Sequence, residues 1–159
     1  MPLPSDVDRM DVPNYWIAAI AQQEALAGVA GGYAEVAYGK AGPLELMRAG
    51  DGFAVYSPRT TWPDGAPLQA FTVIGRVCTG VVYRAGGGAG PGPFRIAVEY
   101  FPAAPAPIRP LIDALSFIRN KAHWGAAFRF GFIKVPPEDF ALLAAAMDCR
   151  LPVEAALPG

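Results

Sequence analysis

The chain has 159 residues and a formal net charge of −1, with 53% hydrophobic and only 17% charged residues. This composition suits one folded domain and excludes general disorder, and the near-zero charge excludes a protein that coats nucleic acid by electrostatics alone. No apolar run approaches the ~18 residues of a membrane helix, and two cysteines with one histidine are too few for a disulfide scaffold or a structural zinc site.

Residues 1–12 read as a flexible, acidic, proline-bearing arm without the basic and apolar regions of a secretory leader, so a cytoplasmic protein is expected. Residues 13–148 form the expected domain and 149–159 a tail. Asn14 to Ile20 reads as a buried strand. Gln22 to Val29 reads as a short helix stopped by Gly31-Gly32. Tyr33 to Tyr38 is a second strand, and Pro43 to Arg48 fits one helical turn with proline at its start. Phe53 to Ser57 is a third strand, ended by Pro58.

Leu68 to Val77 is a fourth strand with Phe71, Val73 and Val77 on one face and Gly75 as a bulge or close-approach point. Ala85 to Pro93 is a Gly/Pro loop. Phe94 to Phe101 alternates, with Phe94, Ile96, Val98 and Tyr100 inward. A proline-rich connector leads to a helix from Pro110 to about Ile118. Phe128 to Val135 is the sixth strand, and a last helix carries Phe140, Leu143, Ala144 and Met147 at helical spacing. Six short strands without βαβ alternation predict an α+β domain built on a mainly antiparallel, partly closed barrel with peripheral helices.

Catalytic signatures are scarce. The glycine loop from Gly86 to Gly92 and the Gly39-Lys40 pair match neither the dinucleotide fingerprint nor a phosphate loop. Ser57 lacks a nucleophile-elbow context because Pro58 follows it. Cys78 and Cys149 read as buried, inert thiols. No enzyme activity, metal or cofactor is therefore expected. A cysteine–histidine pair using His123 is the remaining enzymatic alternative.

What stands out is Trp124-Gly125-Ala126-Ala127-Phe128-Arg129-Phe130-Gly131, taken with Asn14-Tyr15-Trp16 upstream. Residues 109–134 carry +4, from Arg109, Arg119, Lys121, Arg129 and Lys134 against Asp113. Aromatic faces hold flat heterocycles by stacking, and arginine adds contacts to base edges or phosphate. Trp16, Tyr56, Trp124, Phe128 and Phe130 would build the walls, with Phe130 the one best suited to a purely core position. The indole N–H groups of Trp16 and Trp124 need partners, which suits a pocket rim. Ser57 and Thr72 would read an edge, while Arg129, Lys121 and Lys40 would hold phosphate. His123 reads as a loop residue with a local hydrogen bond, next to residues that leave room for a ligand contact.

The ordered set of segments resembles the EVE domain family of the PUA-like superfamily. It comprises Asn14-Tyr15-Trp16-Ile17-Ala18, Gly39-Lys40 with Pro43-Leu44, Gly50-Asp51, Tyr56-Ser57-Pro58 and Leu68 to Gly75. Phe94-Arg95, Pro107 to Leu111, Leu115 to Ile118 and Trp124 to Gly131 complete it, over roughly residues 13–148. The resemblance implies a PUA-like barrel, similar to the YTH readers of methylated RNA. It also implies a pocket for a modified base of DNA or RNA, in a single strand or flipped from a duplex. Trp16, Ser57 and Trp124 carry over first, then Tyr56, Phe128 and Arg129. A pocket for a free nucleoside-like molecule and a protein-interaction module are the other functions that the residues allow.

Overall fold

The computed structural model describes residues 12–86 and 90–149. The expected arm up to residue 11, the tail from residue 150 and the centre of the glycine loop (87–89) lie outside the described residues. The rest is mixed α+β: two α-helices and a seven-stranded sheet, in which β2 (Tyr33–Ala34), β5 (Phe94–Tyr100), β4 (Pro67–Arg84), β3 (Gly52–Arg59), β1 (Tyr15–Ala19) and β7 (Phe132–Val135) follow one another and β6 (Ala106–Pro107) pairs with β4.

Strand β1 (Tyr15–Ala19) lies parallel to β3 (Gly52–Arg59) and antiparallel to β7 (Phe132–Val135). The other ladders, joining β3, β4 (Pro67–Arg84), β5 (Phe94–Tyr100), β2 (Tyr33–Ala34) and β6 (Ala106–Pro107), are antiparallel. The mainly antiparallel character therefore holds, but the expected six-stranded, partly closed barrel does not. The terminal strands β2 and β7 do not pair with each other, so the sheet stays open. The extra strand is β6, a two-residue pairing within the proline-rich connector.

Several boundaries moved for local reasons. The strand read over residues 33–38 stops at Ala34, because Ala37, Tyr38 and Gly39 take left-handed φ values of 50°, 59° and 82°, a geometry that cannot continue a ladder. Pro58 does not end β3. It falls at an irregularity between Ser57 and Arg59, where its missing N–H breaks no ladder bond. Opposite the Val55–Tyr56 step, the partner of β3 jumps from Val73 to Phe71, leaving Thr72 as the inserted residue. This bulge splits the predicted apolar row: Phe71 joins Ile74 on one side of the sheet, and Val73 joins Val77 on the other. Gly75 is a close-approach point instead, since a Cβ there would press on the Glu99 carbonyl and lie 2.9 Å from the Tyr100 Cα.

Helix α1 (Gln22–Gly31) closes on Gly32, whose φ of +71° is the left-handed cap that glycine supplies without steric cost. The helix expected over residues 110–118 is only a 3-10 turn at Arg109–Leu111. Its backbone groups are engaged elsewhere. The buried Asp139 carboxylate accepts the N–H groups of Ser116 and Phe117, and Lys121 Nζ donates to the carbonyls of Ile112 and Leu115. Helix α2 (Pro137–Ala146) buries Phe140, Leu143 and Ala144 as its periodicity predicts.

The sheet separates two cores. One gathers Ile17, Tyr56, Phe71, Ile74, Leu115 and the apolar face of α2. The other gathers Trp16, Phe53, Val55, Val73, Leu44 and Ile96. Side chains alternate along β1, so Ile17 enters the first core while Trp16 and Ala18 enter the second.

Candidate functional site

Where β3 nears its end, Tyr56 is buried against the 3-10 turn Trp124–Phe128. Its ring stacks on Phe128, with centroids 4.2 Å apart and planes 14° from parallel. Trp124 meets Tyr56 edge-on at 6.2 Å, Phe71 does so at 5.6 Å, and Phe117 meets Phe128 edge-on at 5.8 Å. Phe117 owes its place to Asp139, whose carboxylate ties down the Ser116–Phe117 backbone. Trp124 and Phe128 are only half-buried, so the cluster opens outward.

Polar groups border this opening. Arg109 lies 5.6 Å from the Trp124 ring, within cation–π range, and its guanidinium donates to Gln69 Oε1 at 3.1 Å. Gln69 has a φ of +51°, an uncommon conformation for a residue with a side chain, and its carbonyl is held by Ile108 N–H at 2.9 Å. Among the described residues, neither the Tyr56 hydroxyl nor Trp124 Nε1 has a hydrogen-bond partner. Neither is a sealed, unpaired buried group, so each keeps some accessible surface. Burial pushes the Tyr56 hydroxyl up to about 12, with the Arg109 guanidinium pulling the other way. At neutral pH it is therefore an uncharged donor and acceptor.

Of the residues singled out from sequence, the fold brings the rings of Tyr56, Trp124 and Phe128 together. Trp16 sits in the opposite core, stacked on Phe132 at 5.1 Å, and its Nε1 donates to Asp51 Oδ2 at 2.9 Å. The partner that its indole required lies within the protein. Ser57 and Thr72 are buried and hydrogen-bonded to each other at 2.8 Å. Lys121 is committed to two backbone carbonyls. His123 is exposed, and its local hydrogen bond is made by the backbone N–H, to Asn120 Oδ1. Arg129 and Lys40 are exposed.

Two expectations are corrected outright. Phe130 is 85% exposed rather than core, because Gly131 turns the chain at φ +75° before β7 begins. Cys78 is exposed, and only Cys149 is buried. Sequence reasoning did not assign Phe71, Phe117, Gln69 or Arg109 to the site. Arg109 alone carried a signal, as the first charge of the basic segment. Among the described residues, no three His, Cys, Asp or Glu side chains converge as metal ligands, and no described helix is long and apolar enough to cross a membrane.

An open, mostly antiparallel sheet flanked by two helices, with a half-open aromatic cluster beside an arginine, defines a small α+β domain. The chain belongs to the EVE domain family, which it matches over residues 14–146. It is 42% identical over 132 residues to a UPF0310 protein of Mycobacterium avium, covering 83% of this chain and 96% of that one. With the UPF0310 protein YdcG of Bacillus subtilis it shares 37% identity over 138 residues, covering 87% and 94% of the two chains. The fold is similar to the NMR structure of Rpa0253 from Rhodopseudomonas palustris, with a TM-score of 0.52 at 15% identity, covering 85% of this chain and 93% of that one.

Proposed function

We propose that this protein is a non-enzymatic nucleic-acid-binding module, PUA-like in architecture, that recognises a modified base of DNA or RNA at the Tyr56–Trp124–Phe128 cluster. Membership of the EVE domain family supports a nucleic-acid role. The observation that carries the reading is the pairing of a half-open aromatic wall with two unpartnered polar groups, Tyr56 OH and Trp124 Nε1, next to Arg109. Stacking would hold the plane of the base, and those groups would read its edge. A base inside a duplex presents no free face, so the ligand must be single-stranded or flipped out.

The test is fluorescence-detected binding to single-stranded DNA and RNA oligonucleotides, each carrying one unmodified, methylated or hydroxymethylated base. Stacking of a base contributes ~1–3 kcal/mol, so Trp124→Ala should weaken a selective hit by about 5- to 150-fold with the fold intact. Binding that is tight, blind to modification and steeply salt-dependent would overturn the proposal. Equal affinity for the free nucleoside would make the cluster a small-molecule site.

A further inference from the structure

The chain turns tightly between Phe128 and β7. Gly131 N–H donates to the Phe128 carbonyl at 3.0 Å, which makes Arg129 and Phe130 the two central residues of a β-turn. Both ends of the turn are fixed. Phe128 is stacked on Tyr56, and the Gly131 carbonyl accepts the Ala19 N–H at 2.9 Å. Ala19 is also the strand partner of Tyr56, so the turn lies two strand spacings, about 10 Å, from Tyr56. Phe130 falls beyond the last pair of β1 and β7, Ala18 with Phe132. It joins neither core and is 85% exposed. Neither side chain at this tip is committed within the fold. The Phe130 ring has no ring or cation contact, and the exposed Arg129 side chain has no hydrogen-bond, ion-pair or cation–π partner among the described residues. A single ring beside a cation is not the broad apolar patch that a protein partner buries. It matches a nucleotide, whose base offers a π-face and whose phosphate offers a negative charge.

We propose that the Arg129–Phe130 turn binds the nucleotide next to the one held at the cluster: Phe130 stacks on that neighbour's base, and Arg129 contacts the phosphate that links the two. The assignment rests on the nucleic-acid reading above and deepens it, because the ligand becomes at least two nucleotides of single strand rather than an isolated base. Phe130 packs in neither core, so replacing it leaves the fold undisturbed, and Phe130→Ala should keep the native thermal midpoint.

The experiment compares the full chain with Phe130→Ala, Arg129→Gln and a control, Tyr38→Ala. Tyr38 is a 90% exposed aromatic that follows β2, at the opposite edge of the sheet from β7. The probes are one single-stranded oligonucleotide selected by the panel above and the same strand with abasic sites on both sides of the target base. The abasic probe keeps the phosphates and lacks the neighbouring bases. Phe130→Ala should weaken binding of the intact oligonucleotide by at least about 5-fold and bind the abasic probe as the native chain does. Arg129→Gln should weaken binding of both probes, with a logarithmic salt slope shallower by ~0.7, the value of one phosphate contact on a single strand. Tyr38→Ala should bind both probes like the native chain. Native affinity of Phe130→Ala for the intact oligonucleotide, an equal loss on the abasic probe, or an equal loss in Tyr38→Ala overturns the stacking assignment while leaving the base pocket standing. An unchanged slope in Arg129→Gln overturns the phosphate contact. Absence of any selective oligonucleotide, or retention of full affinity in Trp124→Ala, removes the underlying reading and the turn assignment with it.

Discussion

Replacing Trp16 with phenylalanine separates structural from ligand-binding aromatics. The indole Nε1–H donates at 2.9 Å to the carboxylate of Asp51, which is only 2% exposed and also accepts the backbone N–H groups of Asn14 and Arg48. This cluster ties the start of β1 to the turn that launches β3. Phenylalanine preserves a ring on Phe132 but leaves Asp51 one donor short. A hydrogen bond to a charged group contributes ~1.5–3 kcal/mol, and the smaller ring gives up roughly another 1 kcal/mol of buried apolar surface. Trp16→Phe should therefore lose about 2.5–4 kcal/mol, a large part of the ~5–15 kcal/mol typical of a domain. Urea unfolding at neutral pH measures it, with the midpoint falling and the slope m unchanged. Affinity for any ligand of the Tyr56–Trp124–Phe128 cluster should be the same in folded Trp16→Phe and in the native chain. A variant that keeps its stability but loses binding would refute this assignment and move Trp16 to the ligand.

The Gly75→Ala variant should be destabilised by ~1–3 kcal/mol, because its new methyl group meets the backbone of Glu99 and Tyr100 rather than a side chain that can swing away; an unchanged thermal midpoint would disprove the close approach of β4 and β5. Alkaline titration tests burial of the tyrosines. Burial raises the pKa of Tyr15, Tyr56 and Tyr100 above the ordinary value, with Tyr56 reaching about 12. A raised folded-state value means the fold favours the protonated phenol. The stability contribution of Tyr56 is therefore complete below the ordinary value of ~10 and disappears as pH rises through about 12. Tyrosinate absorbance should keep rising above the ordinary value as these three ionise, and a single transition near the ordinary value would contradict the packing.

By itself the sequence determined what depends on neighbours along the chain. The buried strand β1, the alternation in β5, the helical spacing in α2 and the glycine stop of α1 are short-range patterns, and they appear where the residues predict them. The ordered segments likewise indicated the family without any coordinates. Tertiary structure decided whatever depends on which partner claims a polar group or which face a side chain takes. Asp139 and Lys121 draw off the hydrogen-bonding groups that would have made residues 110–118 helical. Asp51 claims the Trp16 indole from the other side of a turn, and no pattern within Asn14-Tyr15-Trp16 encodes that contact. The bulge at Thr72 reverses the alternation on which face assignments in β4 depend, sending Phe71 and Val73 to opposite cores. Phe128 and Phe130 look alike in sequence, yet one stacks on Tyr56 and the other stands in solvent. The difference is the left-handed turn at Gly131 and the packing of the 3-10 segment before it against Tyr56.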